Sequence, residues 1–188
     1  RPSSGHRGNG EIGRRFAVDR KRVHLFGFWM GGYMAYQMAC QSADRIAGIV
    51  ALSGTTFLDP GRCQPSEPVN VLHMHATAEE EFFYLGGALS PSSTWPVPAN
   101  MPPYPGALQT VQTWAAYNGA RDPVTDPAPS MDLDLNVPGL DTVVTRYTTS
   151  PPGGAVELWS IIGGSHITSP SPEFSPRLID WLLAHPKP

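Results

Sequence analysis

Charged residues are scarce in this 188-residue chain, and neither sign dominates. Asp, Glu, Lys and Arg make up 15% of it, apolar residues make up 40%, and the formal net charge is −3. Disordered chains and coiled coils carry far more charge. The five basic residues between Arg14 and Arg22 indicate a solvated loop, so nothing supports nucleic-acid binding. The length is that of one domain with its own core.

The sequence also has no pattern typical of a membrane span, a leader peptide or a cluster of metal ligands. Val23–Ala43 contains no charged residue, but its glycines and glutamines indicate two buried soluble elements rather than a membrane span. Residues 1–5 include no apolar stretch of the kind found in exported precursors. No Cys-x-x-Cys or His-Cys grouping predicts a metal site.

Cysteine is limited to Cys40 and Cys63. One long-range disulfide is typical of an exported protein, because the cytosol keeps thiols reduced. We therefore predict a Cys40–Cys63 disulfide and an extracellular or periplasmic location. Two unrelated buried thiols are the alternative.

Glycine and proline are abundant, with 19 and 21 residues, and they cluster between apolar runs. Such clusters indicate ordered loops between buried elements. The order of strands and helices predicts an α/β fold with a mostly parallel sheet flanked by helices. Strands are predicted over 22–26, 46–54, 69–75, 143–148 and 156–162, helices over 33–41, 108–117 and 173–184, and loops over 57–68, 88–105 and 121–140.

A turn framed by glycines, predicted over residues 27–32, joins the first strand to the first helix. Trp29 takes the central position of the segment Gly-Phe-Trp-Met-Gly. This is the frame of the nucleophile elbow, Gly-x-Ser-x-Gly, whose glycines allow a sterically tight turn. The central residue of an elbow lies above the sheet at a helix N-terminus, where free amides favour a developing anion.

Further motifs surround the elbow in a fixed order. They are Val18–Val23 before it, then Ala51–Gly54, Val71–Glu79, Trp114 with Asn118-Gly119, Val156–Trp159 and Gly163–His166. Together they resemble the polyhydroxybutyrate-depolymerase-like esterases, including feruloyl esterases, of the α/β-hydrolase fold. The resemblance implies carboxylic-ester hydrolysis without a cofactor, on a small or polymeric ester.

The resemblance also assigns roles to three positions. His166 takes the place of the triad histidine, Glu79 that of the acid and Trp29 that of the nucleophile. A glutamate can orient a histidine as an aspartate does, but an indole cannot attack an ester carbonyl. Ser53 and Ser165 are not framed by an elbow and are poor substitutes. The sequence therefore predicts an esterase relative that is inactive or severely impaired.

Two other functions remain open. The chain could be a non-catalytic binding module in which a flat ligand stacks on Trp29. It could also be an engineered or redirected acid–base catalyst, in which Glu79 or His166 takes a proton from the ligand. The candidates for lining the ligand pocket are Phe28, Met30, Trp95 and Tyr104.

The family's earlier strands and oxyanion-hole loop have no counterpart in the resemblance, which begins at the elbow strand. We therefore expect residues 1–188 to be one domain, truncated to the C-terminal portion of the fold, with an irregular segment over 1–17. The elbow strand would then be an open sheet edge, through which two chains could associate. His73 and His75 face the same side of the third strand and are expected to be buried or loop-facing rather than metal ligands.

Overall fold

Helices flank a six-stranded sheet in the part of the chain that the structure describes. This computed structural model describes residues 13–88 and 102–188. The strands are β1 (His24–Phe28), β2 (Gly48–Leu52), β3 (Asn70–Ala76), β4 (Gly86–Gly87), β5 (Tyr104–Pro105), β6 (Arg121–Thr125), β7 (Thr142–Thr149) and β8 (Val156–Ile161), and the helices are α1 (Met30–Gln41), α2 (Ala107–Asn118) and α3 (Phe174–Ala184).

The large sheet has the strand order β1-β2-β3-β8-β7-β6, and β4 pairs with β5 in a separate ribbon. The strands β1, β2, β3 and β8 are parallel, whereas β7 and β6 are antiparallel to their neighbours. Every residue of β2 and β3 is buried, as expected of parallel strands that are covered on both faces. The predicted α/β class with a mostly parallel sheet is confirmed.

Two apolar clusters lie on opposite faces of this sheet. Ile49 and Ala51 of β2 belong to the first cluster, and Val50 and Leu52 belong to the second. This alternation follows from the strand geometry, in which successive side chains point to opposite faces. The first cluster also takes residues from α1 and α2, and the second takes residues from α3. The helices therefore cover both faces of the sheet, and only the ends of its strands are available for a functional site.

The turn between β1 and α1 is shorter than the sequence predicts. The predicted turn over 27–32 is wrong, because Trp29 alone separates the strand from the helix. The glycines that suggested a longer turn lie inside regular structure, where strand and helix approach each other closely. The strand predicted over 22–26 starts two residues too early, because β1 begins at His24. Its first residue belongs to a 3-10 turn that is capped by the Asp19 carboxylate.

β6 is a strand in a region that the sequence predicts to be a loop, residues 121–140. It pairs with β7 at the edge of the sheet, and all five of its residues are exposed. An edge strand with solvent on both sides needs no apolar alternation, which is the signal by which strands are recognised in sequences. The loop prediction is therefore wrong for the residues of β6.

β1 forms the opposite edge of the sheet. Among the described strands it pairs with β2 only. Two large apolar residues of this strand are exposed, Phe26 at 53% and Phe28 at 38%. Association of two chains through this edge stays a prediction. None of the described helices is long and apolar enough to cross a membrane.

A disulfide joins Cys40 in α1 to Cys63, with the two Cα atoms 5.4 Å apart. Cys63 follows a 3-10 turn over Pro60–Arg62, whose first amide is capped by the Asp59 carboxylate. The bond therefore attaches the loop after β2 to the helix that begins at the elbow.

We expect the disulfide to stabilise the fold by about 3 kcal/mol, because closing a loop of this length restricts the unfolded chain. The two cysteines are separated by 23 positions. Urea unfolding with and without a reductant measures the difference. The double variant Cys40→Ser/Cys63→Ser is the control, since reductant should leave its unfolding unchanged. An unfolding free energy of the native chain that does not respond to reductant contradicts the prediction.

Candidate active site

Trp29 stands at the apex of the strand-to-helix turn in a conformation that non-glycine residues rarely adopt. Its φ is 54° and its ψ is −120°. Its amide donates to the carbonyl of Leu52, and its own carbonyl accepts from the amides of Gly32 and Tyr33. Such a backbone costs on the order of 1–3 kcal/mol and persists only where the surroundings enforce it. The strained backbone of a nucleophile elbow is therefore present around a residue that is not a nucleophile.

Close glycine contacts enforce this turn. A Cβ atom on Gly27 would lie 2.1 Å from the carbonyl oxygen of Gly31, and one on Gly54 would lie 2.7 Å from the Cα atom of Gly32. The start of α1 thus packs directly on the backbone of β1 and of the loop after β2. No side chain larger than hydrogen fits at these contacts.

Gly27→Ala is expected to destabilise the fold by on the order of 3 kcal/mol, because overpacking forces the backbone of the elbow to shift. Gly31→Ala is the matched control, since a Cβ atom there meets nothing within 4 Å. The control should change stability by less than about 1 kcal/mol. Thermal or urea unfolding of both variants gives the comparison, and equal stabilities would contradict the packing argument.

Glu79 and His166 form a buried pair beside this turn. The Nδ1 atom of His166 lies 2.8 and 2.9 Å from the two carboxylate oxygens of Glu79, and the two residues are 6% and 4% exposed. A carboxylate only accepts, so Nδ1 carries the proton and Nε2 is the basic nitrogen of the neutral ring. The pair therefore has the orientation that a general base needs.

The turn after β3 fixes the carboxylate of Glu79. Its Oε1 accepts from the amides of Glu81 and Phe82 at 2.8 and 3.2 Å. Burial raises the pKa of Glu79, but the hydrogen bonds from His166 and from the Glu81 amide outweigh burial, so the pKa lies below its ordinary value. The adjacent Glu80 accepts from the backbone amide of His166 at 3.1 Å. Glu79 is therefore an anion at neutral pH.

Aromatic rings surround the imidazole of His166. The ring centroid of Phe28 lies 4.9 Å away, and that of Trp29 lies 6.1 Å away and edge-on, at an interplanar angle of 80°. The elbow residue thus points toward the histidine, as a nucleophile at that position would. Met30, in the first turn of α1, is 41% exposed.

Tyr104, a predicted pocket residue, also makes a contact that the sequence does not suggest. It is buried, and its hydroxyl accepts from the amide of Phe83 at 2.9 Å, so it braces the turn that carries Glu79. Its ring also lines a cavity of about 470 Å³. Trp95, the other predicted loop aromatic, lies outside the described residues. No sequence pattern indicates the remaining large side chains of this cavity, which are Tyr33, Phe57, Leu58, Arg62 and Phe82.

Other polar groups near the pair do not form a metal centre. Within residues 13–88 and 102–188, no group of three or more His, Cys, Asp or Glu side chains could hold a metal ion. His73 and His75 are buried and contact each other. Their alternation in β3 was visible in the sequence. Their hydrogen-bond partners, Tyr36 in α1 and Phe82 in the turn after β3, were not.

Comparisons with known proteins agree with this geometry. Residues 8–81 match a family model described as Phospholipase/Carboxylesterase. The fold is similar to that of the acetyl xylan esterase from Aspergillus awamori, with a TM-score of 0.58 and 15% identity, covering 95% of this chain and 66% of that one. The chain has the α/β-hydrolase fold. The elbow after β1, Glu79 after β3 and His166 after β8 follow the chain order of nucleophile, acid and histidine in that fold.

Three relatives of this chain are esterases by name. It is 28% identical to feruloyl esterase B of Piromyces equi, over 83% of this chain and 27% of that protein. It is 29% identical to the putative esterase NocK of Nocardia uniformis subsp. tsuyamanensis, over 79% and 43%. It is 32% identical to the bifunctional acetylxylan esterase/xylanase XynS20E of Neocallimastix patriciarum, over 39% and 11%. The chain thus spans less than half the length of these relatives. None of the three names mentions a polyester, so the polyester substrate stays a prediction.

Proposed function

We propose that this α/β-hydrolase binds carboxylic esters and forms no acyl-enzyme, because Trp29 occupies the nucleophile position. The observation that carries the proposal is the Glu79–His166 pair, whose Nδ1–carboxylate distances are 2.8 and 2.9 Å, beside an elbow with an indole at its apex. The pair can hold a proton at Nε2 of His166. The missing part is an atom that could form a bond to the ester carbon.

The proposed ligands are esters of hydroxycinnamic or acetic acid, the classes named in the esterase relatives. An aromatic acid fits the side chains around the elbow, because Trp29 and Phe28 offer flat surfaces for stacking. The neighbouring cavity of about 470 Å³ has further aromatic walls in Tyr33, Phe57 and Tyr104. Arg62 lies over the ring of Phe57, at 4.6 Å from its centroid, and brings one positive charge to this wall.

Titration with methyl ferulate, followed by tryptophan fluorescence and intact mass spectrometry, tests the proposal. We expect saturable quenching, no mass adduct and no release of ferulate above the uncatalysed rate. Trp29→Ala should weaken the quenching, while the mass spectrum stays unchanged. A covalent acyl adduct on the native chain contradicts the proposal, and so does quenching that fails to saturate.

A second candidate function rests on the same pair. His166, oriented by Glu79, could act as a general base toward water or toward an acidic proton of a ligand stacked on Trp29. Its signature is turnover of an activated aryl ester without an acyl intermediate, with a pH–rate limb that disappears in His166→Ala. If His166→Ala and the native chain show the same rate, this candidate is eliminated.

The proposed location is outside the cytosol, since the Cys40–Cys63 disulfide needs an oxidising compartment to persist. Alkylation of free thiols in freshly lysed source cells, before any air oxidation, tests it. The native protein should resist alkylation until a reductant is added. Two reactive thiols at lysis would contradict an exported protein.

A further inference from the structure

Three buried side chains form a hydrogen-bonded chain that ends at the turn carrying Glu79. The Tyr36 hydroxyl lies 2.9 Å from Nδ1 of His73, and Nε2 of His73 lies 3.1 Å from Nδ1 of His75. Nε2 of His75 then lies 2.6 Å from the carbonyl oxygen of Phe82. None of the three side chains is more than 1% exposed. Ester chemistry at the elbow uses none of them, and we refer to them as the Tyr36–His73–His75 relay.

The contacts of the relay determine its direction. The Phe82 carbonyl can only accept, so Nε2 of His75 carries a proton and Nδ1 of the neutral ring is bare. That bare nitrogen accepts from Nε2 of His73, whose Nδ1 is then bare in turn and accepts from the Tyr36 hydroxyl. Both imidazoles are therefore neutral Nε2–H tautomers, and every donor points toward Phe82.

The last acceptor of the relay is adjacent to the acid of the pair. The amide of the same residue, Phe82, donates to Oε1 of Glu79 at 3.2 Å, and the amide of Glu81 donates to that oxygen at 2.8 Å. Phe82 is fully buried. One residue thus receives the relay through its carbonyl and holds the carboxylate through its amide.

We propose that His73 and His75 are positioning residues for the Glu79–His166 pair, which fix the turn over residues 79–82 from inside the core. His75 holds the Phe82 carbonyl directly. His73 and Tyr36 keep His75 in the one tautomer that can donate to it. The proposal concerns the geometry of the pair and is independent of whether an ester is turned over, so it can fail without the proposed function failing.

An added proton conflicts with this arrangement. A charged His75 would direct an N–H group at the N–H group of His73, and reversal of the relay would leave the buried Tyr36 hydroxyl without its acceptor. Burial, the largest cause, lowers the pKa of both imidazoles below the ordinary 6.5. Their neutral forms thus contribute stability that is complete above pH 6.5 and is lost as the pH falls below it. The titratable groups that face the two rings are Tyr36 from α1, Tyr84 and Glu79 from the segment after β3, and His166 from the loop after β8.

The native chain provides the first test, by ¹⁵N NMR of the histidine ring nitrogens. We expect the rings of His73 and His75 to be neutral Nε2–H tautomers at pH 7.5 and the ring of His166 to carry its proton on Nδ1. The two relay rings should become protonated only at a lower pH than a free histidine does. A neutral Nδ1–H tautomer for His73 or His75, or titration of either with the pKa of a free histidine, overturns the proposal without any substitution.

Variants at His75 provide the second test. His75→Leu removes the donor to Phe82, and we expect the Nδ1 proton of His166 to exchange at least about tenfold faster, the factor that one buried hydrogen bond typically contributes. His75→Gln keeps an amide donor near the same position and should restore exchange to within about twofold of the native rate. Tyr84→Phe is the matched control, because its hydroxyl bonds Ser160 in β8 and not the turn.

The outcomes separate positioning from general stability. If His75→Leu and Tyr84→Phe accelerate the exchange of the His166 proton equally, the relay has no specific role and the proposal fails. It also fails if His75→Leu folds and leaves that proton unchanged. Should His75→Leu not fold, the tautomers of the native chain and the His75→Gln variant still decide.

Discussion

Trp29→Ser is expected to convert this chain into an esterase with a burst of product release. The elbow backbone at φ 54°, the proton acceptor His166 and its partner Glu79 are already in place. In serine hydrolases the nucleophile contributes about 10⁶-fold in kcat, and we expect a gain on the order of 10³-fold or more on 4-nitrophenyl acetate. The amide of Met30, the residue after the nucleophile, would donate to the developing oxyanion.

Two controls accompany this experiment. Trp29→Ala removes the indole without supplying a hydroxyl, and it should stay at the native rate. The double variant Trp29→Ser/His166→Ala should lose the gain and the burst. A serine variant that folds, yet neither turns over nor acquires an acyl adduct, would show that the elbow and the pair do not form a working site.

Glu79→Gln in the Trp29→Ser background should lower kcat by about 10⁴-fold, with little change in KM. An amide in place of the carboxylate no longer holds the Nδ1–H tautomer of His166 and cannot stabilise the imidazolium that forms during attack. Glu80→Gln is the matched control, because Glu80 bonds the backbone amide of His166 and not its ring. We expect that variant to stay within about threefold of its parent.

Steady-state kinetics of the three enzymes measures both parameters. A Glu79→Gln variant within about tenfold of the parent would show that the carboxylate does not orient the base. A large loss of kcat in Glu80→Gln would show that the contact of Glu80 with the backbone amide of His166 is the essential one.

The fold was predictable from the sequence because its central elements are buried on both sides. The apolar runs that form β2, β3 and β8 have no competing interpretation once glycine-rich and proline-rich segments separate them. The elbow frame was recognisable because it joins a buried strand directly to a helix. Glu79 and His166 were assigned by the resemblance to an esterase family, and they lie close together because the ends of parallel strands meet at one edge of the sheet.

The features that sequence reasoning missed depend on contacts between distant segments or on solvent. β6 has both faces in water and therefore no pattern. The role of Tyr104 depends on the Phe83 amide, 21 positions away in the chain. His73 and His75 were recognisable as a pair on one side of a strand. The direction of their hydrogen bonds could not be predicted, because it is determined by contacts with the Phe82 carbonyl and the Tyr36 hydroxyl.

The backbone at Trp29 has one more consequence, for the evolution of this site. Its strained conformation is imposed by Gly27, Gly32 and Gly54 and not by the residue at the apex, so a serine at this position would adopt the same backbone. The tryptophan codon differs from one serine codon by a single base. A single base change could therefore place a serine on a backbone that already has the conformation of a nucleophile elbow.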